Sequence, residues 1–444
     1  MSDHPPLTTP EERARFIRAR LPKDGLFAGQ EWRVSPFPFR LGQELAKELE
    51  GLGRLLLQFN RSVNLLHRQS LAGKQPAWVA QWLDQGKPPE LLEMQRSAAF
   101  KNELPRVIRP DIILAESGPI LAELDSVPGG IGLTAWLNQT YSALPDGPAP
   151  VIGGADGMAR GFSAIFADAT SIHIVIAEEA QTYQPEMAWL AGQLGERFQV
   201  RDTRFDQFKK GDAVYRFFEL FDLAQTPNAK TIFDKALAGD IRLTAPPKPM
   251  FEEKMLFALL WNRNLRGFWR QELGERFFER MRRLVPYTWM VDPAPLPPQG
   301  ALPELNLTDW QQLKALSQRE RELILKVSGF SDKAWGARGV HLGSDLSTAD
   351  WSAAVDEALA AFPASPYVLQ RYHRPALVQA EWYNFAKNQL TPMPGRVRLC
   401  PYYFVVGEGD AARAHLSGVL ATICPADKKI IHGMSTAILA ACSV

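Results

Sequence analysis

Apolar and polar positions alternate with different periods along the chain, and the change in period predicts where helices give way to strands. In the first hundred residues apolar side chains recur at helical spacing, and a further helix with proline in its first turn is predicted over 88–102. After it the pattern predicts two strands, 107–115 and 119–127, joined by a short loop around Ser117. Pro110 inside the first strand favours a sheet edge or a bulge.

The remaining sequence alternates strands and helices between three proline-rich stretches, at 144–157, 243–250 and 292–304, which we interpret as linkers. Between the first two, a strand–helix–strand rhythm indicates a small α/β unit. After the third, several short strands and a helix over 348–362 indicate a mostly antiparallel α+β unit. The predicted regions are helices in 1–104, a strand hairpin in 105–150, a small α/β domain in 151–250 and a core in 251–444.

Composition and charge argue against several classes of protein. The 444 residues contain 50 lysines and arginines against 49 aspartates and glutamates, and this near balance argues against an extended nucleic-acid surface. The three cysteines form no CxxC pair, which argues against a disulfide framework or a cysteine-rich zinc site. No apolar run approaches the length of a membrane span, and the first residues lack a secretory apolar core. We therefore expect a cytoplasmic protein that binds neither nucleic acid nor membrane.

The predicted hairpin carries four charged residues with strand periodicity: Arg109, Asp111, Glu123 and Asp125. If the chain folds back at Ser117, residue 109 faces 125 and residue 111 faces 123, so that all four side chains share one face. Three carboxylates beside an arginine suit a Mg²⁺ ion and a transferring phosphoryl group. The alternative is a solvated edge hairpin with cross-strand ion pairs.

A second group of candidate residues surrounds a lysine in an apolar strand. Lys326 lies in the predicted strand 322–330, where its charge is costly unless an anion is near. The following loop, 329–339, here called the flap, combines backbone N–H groups and positive charge as a polyphosphate requires. Its candidate residues are Gly329, Lys333, Gly336, Arg338 and Gly339. The alternative is an exposed hairpin tip with a lysine that snorkels to solvent.

Two further patterns bear on nucleotide binding. The strand 367–372, which contains Gln370, can offer main-chain donors and acceptors to an adenine edge, although an ordinary core strand is the alternative. Neither a Walker A loop nor a GxGxxG turn after a strand is present, so the common phosphate loops do not explain the pattern.

The order of these motifs resembles the circularly permuted ATP-grasp ligases of the glutathionylspermidine synthetase type. The resemblance rests on Arg109-x-Asp111, eleven intervening residues and Glu123-x-Asp125, followed by the Lys326 strand, a Gly-Ala-Arg-Gly loop and the strand 367–372. It covers most of 105–444. The resemblance implies an α+β fold, a permuted ATP-grasp core with a small α/β pre-ATP-grasp-like domain and N-terminal helices, and ATP with Mg²⁺ as cofactors.

The resemblance also assigns roles to individual residues. It places Arg109 at the transferring phosphoryl group and implies a second, C-terminal catalytic arginine, for which we prefer Arg398. The implied metal ligands are Asp111, Glu123 and Asp125. The implied ATP-binding residues are Lys326, Lys333, Gly336, Arg338, Gly339, Gln370 and Arg263.

The chain departs from the family pattern at three points. Asp125 stands where the family has asparagine, and the flap reads Gly-Ala-Arg-Gly rather than Gly-Arg-Glu-Gly. The family's second nucleotide lysine has no clean match, so Arg263 or Arg266 is taken as its stand-in.

The function implied by the resemblance is an ATP-dependent carboxylate–amine ligase that forms an amide through an acylphosphate, with a small-molecule acid and a small-molecule amine as substrates. One alternative is a nucleotide-binding scaffold without catalysis, which the aspartate at 125 and the missing lysine motivate. Another is a phosphotransferase whose product is the phosphorylated substrate.

Overall fold

The computed structural model describes residues 9–23, 25–26, 31–145, 150–166, 168–296, 300–334 and 338–444. The chain is a mixed α/β protein. Its helices are α1 Pro10–Ala19, α2 Gln43–Leu71, α3 Ala77–Asp84, α4 Pro89–Arg96, α5 Ile131–Ser142, α6 Gly157–Ala164, α7 Gln184–Leu194, α8 Ala229–Leu237, α9 Leu256–Trp261, α10 Arg266–Leu284 and α11 Thr348–Ala361.

The strands form three sheets. They are β1 Phe39–Arg40, β2 Val107–Ala115, β3 Gly118–Asp125, β4 Ile172–Ile176, β5 Phe198–Arg201, β6 Ala213–Phe217, β7 Arg242–Thr244, β8 Thr288–Met290, β9 Leu323–Val327, β10 Val340–Leu342, β11 Tyr367–Arg371, β12 Leu377–Asn384, β13 Gln389–Val406, β14 Arg413–Pro425 and β15 Ile438–Ser443.

The seven-stranded sheet joins the early hairpin to the end of the chain. Its order is β1-β15-β14-β13-β2-β3, and β12 also pairs with β13. A second sheet of four strands is antiparallel, in the order β10-β9-β11-β8. The third, of order β5-β4-β6-β7, is parallel and matches the predicted strand–helix–strand rhythm.

Helix α2 packs against the seven-stranded sheet, and the apolar side chains at helical spacing lie on its buried face. Its apolar side chains Leu49, Leu52, Leu56 and Phe59 are fully buried. Each fully buried leucine contributes about 1.5–3 kcal/mol relative to an exposed one. The helix lies so close to β13 that a Cβ at Gly53 would meet the Tyr403 ring at 2.6 Å. The predicted helix over 88–102 is shorter in the structure, because α4 ends at Arg96.

Pro110 does not mark a sheet edge, because β2 lies between β13 and β3. The pairing of β2 with β13 is instead interrupted between the pairs Ile112–Leu399 and Ile108–Tyr403. The register on either side of this gap places Pro110 opposite Pro401, and neither proline has an N–H to donate. Two facing prolines therefore explain how a proline is accommodated inside the sheet. None of the described helices combines the length and apolar character needed to cross a membrane.

Candidate active site

The register of the β2–β3 hairpin confirms the predicted convergence of its four charged residues. Arg109 pairs with Asp125 and Asp111 pairs with Glu123 across the hairpin. The register then shifts by one residue, so that Ile112 pairs with Leu121 and Ala122 is the extra residue of a bulge. The predicted pairing is thus correct at the charged residues and wrong by one residue near the turn, where Ala115 pairs with Gly118.

Two arginines hold the carboxylates of the hairpin. Arg109 Nη2 lies 2.8 Å from Asp125 Oδ2 and 3.2 Å from Asp111 Oδ1. Arg398, from β13, donates to Asp111 Oδ2 at 2.9 Å. Asp125 also accepts a hydrogen bond from the Val127 N–H at 2.8 Å. The predicted catalytic arginines therefore both contact the predicted metal ligands.

Two lysines complete this group of charges. Lys254 Nζ lies 2.9 Å from Glu123 Oε1. Lys326, on β9, donates to Gln370 Oε1 at 3.0 Å, and the Gln370 amide donates to Thr288 Oγ1 at 3.1 Å. Arg263 and Arg266 are the residues predicted to stand in for the second nucleotide lysine. The structure places Lys254, which was not among the candidates, beside Glu123.

Burial and neighbouring charges compete in setting the pKa values of these groups. Burial raises the pKa of Asp111, but the charges of Arg109 and Arg398 outweigh it and hold the pKa below its usual value. Burial also raises the pKa of Glu123, but the charge of Lys254 outweighs it and holds this pKa below its usual value. The pKa of Asp125 is raised by burial, which Arg109 offsets only in part. The pKa of Asp125 is therefore shifted in the opposite direction to the pKa values of Asp111 and Glu123.

These residues line a cavity of about 660 Å³ between the seven-stranded sheet and the antiparallel four-stranded sheet. We call the sheet face that lines it the floor. Cross-strand pairing arranges the floor in rows, of which the first contains Asp125 with Arg109 and the second contains Glu123 with Asp111. The floor includes Arg109, Asp111, Ile113, Ile120, Glu123, Asp125, Arg398, Cys400, Thr422 and Leu439. The opposite wall contributes Ile324, Lys326, Val340 and Gln370.

The glycines after β3 are required for packing of the protein on itself. Gly130 has φ +84°, and a Cβ there would meet Tyr402 Oη at 2.6 Å. A Cβ at Gly132 would lie 2.1 Å from the carbonyl oxygen of Glu186, on α7. The Glu186 carboxylate in turn accepts the N–H groups of Gly130 and Leu133, each at 2.7 Å. Burial raises the pKa of Glu186 to about 7. This buried carboxyl therefore fixes the start of α5 next to the cavity.

A buried ion pair connects the N-terminal helical region to the two lysines of the cavity. Lys87 Nζ lies 2.5 Å from Glu253 Oε1, and both side chains are almost completely buried. The other oxygen of Glu253 accepts a hydrogen bond from the Ser328 hydroxyl. The Ser328 carbonyl accepts the N–H of Lys254 at 2.8 Å. The network thereby fixes Lys254 next to the end of β9, which carries Lys326.

The remaining predicted ATP-binding residues that the structure describes are not brought to the cavity. Lys333 and Arg338 are exposed and form ion pairs with Glu357 and Glu179 at 2.7 and 3.0 Å. Gly339 packs within the flap, where its N–H donates to the Lys333 carbonyl at 2.8 Å. Arg263 is exposed, and its charge acts on the Tyr287 hydroxyl. Gly336 lies outside the described residues.

The predicted metal ligands are held by cations. Across the described ranges of the chain, no three acidic, histidine or cysteine side chains form a ready-made metal site. The chemistry of Asp111, Glu123 and Asp125 nevertheless fits Mg²⁺, which takes carboxylate oxygens together with nucleotide phosphates. Phosphates would also provide an anionic partner for the lysines and arginines that hold these carboxylates. The three carboxylates therefore fit a metal that arrives together with a nucleotide.

The fold is known from a solved structure. The chain is similar to the apo form of a glutathione synthetase-like effector from Globodera pallida, with a TM-score of 0.58, 11% identity and coverage of 98% of both chains. A candidate gamma-glutamylcysteine synthetase from Methylobacillus flagellatus KT gives a TM-score of 0.40 and 12% identity, over 87% of this chain and 86% of that one. No protein-family model and no curated protein matches the chain. The first likeness shows a glutathione synthetase-like fold over nearly the whole length.

Proposed function

We propose that this protein is an ATP-dependent ligase that joins a carboxylate to an amine through an acylphosphate. The observation that carries the proposal is the cavity itself. Four cations, Arg109, Lys254, Lys326 and Arg398, and three carboxylates line it together. Among the described residues, six lysines and arginines and four carboxylates line the cavity, so the cations are in excess, and the four named cations come from segments far apart in sequence. Such a site suits a polyanion that brings its own divalent cation.

We further propose a circularly permuted ATP-grasp core. The β2–β3 hairpin precedes β9 in the chain and pairs with β13, which follows β9. This connectivity supports a permutation in which the metal-binding strands come before the nucleotide lysine. The antiparallel four-stranded sheet then provides the adenine and phosphate side of the cavity, with Lys326 and Gln370.

Each charged residue has a distinct task in this proposal. Lys254 and Lys326 would neutralise phosphate oxygens, and Arg109 would stabilise the charge that develops on the transferring phosphoryl group. Asp111, Glu123 and Asp125 would hold Mg²⁺, which would supply positive charge to the phosphate oxygens. Arg398 would hold the substrate carboxylate for in-line attack. The flap would exclude water from the acylphosphate.

A second candidate function, a nucleotide-binding scaffold without catalysis, is favoured by one observation. Every carboxylate of the proposed metal site is already engaged by a cation: Asp111 and Asp125 by Arg109, and Glu123 by Lys254. If these ion pairs persist when a nucleotide binds, Mg²⁺ has no free ligand and no phosphoryl transfer follows. Such a protein would bind ATP without turnover.

The test is ADP release from Mg·ATP over pooled carboxylates and amines, with Glu123→Gln as the inactive variant. The substitution removes a metal ligand at nearly constant volume, so we expect turnover to fall at least about hundredfold. Glu116→Gln is the matched control, because Glu116 is an exposed glutamate in the turn of the same hairpin. It should keep full activity.

Three outcomes separate the candidate functions. ADP release that requires both an acid and an amine and disappears in Glu123→Gln supports the ligase. A stable phosphorylated acid that forms without an amine supports a phosphotransferase. Binding of a fluorescent ATP analogue without ADP release under any condition supports the scaffold. A fully active Glu123→Gln protein would contradict the site assignment.

A further inference from the structure

A third row of the floor has a composition unlike the two charged rows beside it. Cross-strand pairs connect Ile120 to Ile113, Ile113 to Arg398, Arg398 to Thr422 and Thr422 to Leu439. Directly paired residues of an antiparallel sheet point to the same face, and all five of these residues line the cavity. The row therefore presents one arginine and one threonine between apolar side chains.

Two polar atoms of this row are buried without a hydrogen-bond partner within the described part of the chain. They are Arg398 Nε and Thr422 Oγ1. The Thr422 residue is 0% exposed, so no bulk solvent compensates its hydroxyl. Arg398 is held in place by its bond to Asp111 at 2.9 Å, which engages Nη1 and leaves Nε. Buried polar groups are nearly always paired, and an unpaired donor that faces a cavity indicates a missing ligand atom.

The chemistry of the two groups defines that atom. A guanidinium Nε–H is only a donor, and a threonine hydroxyl can donate as well, so an anionic oxygen satisfies both. Arginine forms charge-assisted hydrogen bonds with carboxylates as well as with phosphates, and of the two a carboxylate is the group that can end an aliphatic chain packed against the apolar residues of the row. The neighbouring row, with Asp111 and Glu123, lies two residues away along the strands, which is about 7 Å. A carboxylate at Arg398 and Thr422 would therefore lie next to the proposed metal and phosphoryl group.

The surroundings of this pair define the rest of the ligand. On the floor Ile113, Ile120 and Leu439 flank it. The segment between β14 and β15 packs Ile431 and Met434 around Ile113. Lys429 and His432 of the same segment also line the cavity, and Lys429 forms an ion pair with Asp345. The rest of a ligand whose carboxylate binds Arg398 and Thr422 would contact the apolar side chains of Ile113 and Leu439. Each buried CH₂ of such a ligand should strengthen binding about fourfold.

We infer that Arg398 and Thr422 bind the carboxylate that is to be activated, and that this acid carries an aliphatic group packed against Ile113 and Leu439. The inference rests on the proposed ligase function for the fate of the carboxylate. The binding step itself requires only the residues of the third row. Thr422 is thus a substrate-binding residue and the apolar flanks determine specificity.

Direct binding tests the inference without turnover. Acetate, isovalerate and succinate are titrated into the full chain, with and without Mg·ADP, and their dissociation constants are measured by ligand-observed NMR. We expect isovalerate to bind at least about tenfold more tightly than acetate, because it buries three further carbon atoms. Succinate has a second charge for the apolar end and should bind most weakly. Equal binding of all three, or tightest binding of succinate, would overturn the inference.

Thr422→Val and Thr422→Ser provide the matched pair of variants. Valine keeps the volume and removes the hydroxyl, so isovalerate binding should weaken about tenfold, while serine keeps the hydroxyl and should stay within about threefold of wild type. Thermal stability of Thr422→Val should not fall, since the hydroxyl it removes has no partner in the described protein. Unchanged isovalerate binding in a folded Thr422→Val protein would overturn the role of Thr422.

The results also separate this inference from the proposed function. Isovalerate binding that depends on the Thr422 hydroxyl, without ADP release for any acid and amine, would reject the ligase and retain the carboxylate site. ADP release that prefers dicarboxylates and is unaffected in Thr422→Val would retain the ligase and reject the carboxylate site.

Discussion

The floor of the cavity and the flap differ in how their charges are held. On the floor, Arg109, Asp111 and Arg398 are largely buried, and both arginines lie within 3.2 Å of Asp111. On the flap, Lys333 and Arg338 are 55% and 57% exposed and pair with glutamates outside the cavity. The floor is therefore organised before any ligand binds, whereas the described flap cations have solvent-screened partners.

The comparison shows where charge contributes to stability as well as to binding. Removing one partner of a buried ion pair leaves an uncompensated charge in a medium of low polarity, and that is costly. Removing one partner of an exposed pair has little effect, since water and salt already screen it. The same change of an arginine to methionine should therefore have very different consequences on the floor and on the flap.

The largest effect is expected for Arg109→Met. The substitution keeps much of the side-chain volume but removes the cation that contacts both Asp111 and Asp125. We expect a loss of about 3–5 kcal/mol in the free energy of unfolding, measured by urea denaturation. The matched control is Arg338→Met on the flap, which should change stability little. A similar small change in both variants would contradict the contrast between the floor and the flap.

The regular strands explain why the floor could be predicted from the sequence. Side chains alternate in a strand, so the spacing of Arg109, Asp111, Glu123 and Asp125 is sufficient to place them on one face once a hairpin is assumed. The bulge at Ala122 was invisible in the pattern, because an extra residue in one strand leaves no periodic signal. The bulge lies between Glu123 and the turn, so the shift in register does not change the predicted pairing of the charged residues.

Long-range contacts and loops explain what the sequence could not provide. Lys254 meets Glu123 only through the tertiary fold, and a solitary lysine next to Glu253 carries no motif of its own. The row of Ile113, Arg398 and Thr422 can be recognised only once the two registers that join β2, β13 and β14 are known. The flap sequence has neither helical nor strand periodicity, so only its composition indicated that its cations bind a nucleotide. In the structure Lys333 and Arg338 instead pair with Glu357 and Glu179.

A smaller effect, expressed as pH dependence, is expected at Glu186 beside the floor. Burial raises the pKa of this carboxyl to about 7, from the usual 4.5. The folded protein therefore keeps a proton that the unfolded chain has lost, and the stability from this group is complete below pH 4.5 and is lost as the pH rises through 7. At roughly 1.4 kcal/mol per pKa unit, the change amounts to about 3 kcal/mol.

The measurement compares the unfolding free energy of the wild type and Glu186→Gln between pH 4.5 and 8. Glutamine does not titrate, so the wild type should lose stability relative to the variant as the pH rises. Glu116→Gln reports the behaviour of an exposed glutamate and should run parallel to the wild type. A difference that is constant with pH would show that Glu186 is ionised throughout and that its two N–H bonds outweigh its burial.

The smallest effect on stability is expected for the double variant Lys333→Met/Arg338→Met on the flap. Both ion pairs are exposed, so the thermal midpoint should be almost unchanged. If the flap cations exchange their glutamates for phosphates when ATP binds, the dissociation constant for Mg·ATP should rise about tenfold in the double variant. Lys230→Met removes an exposed ion pair on α8 and is the control that should leave ATP binding unchanged. Unaltered ATP binding in the double variant would mean that Lys254, Lys326 and the arginines of the floor are sufficient to hold the phosphates.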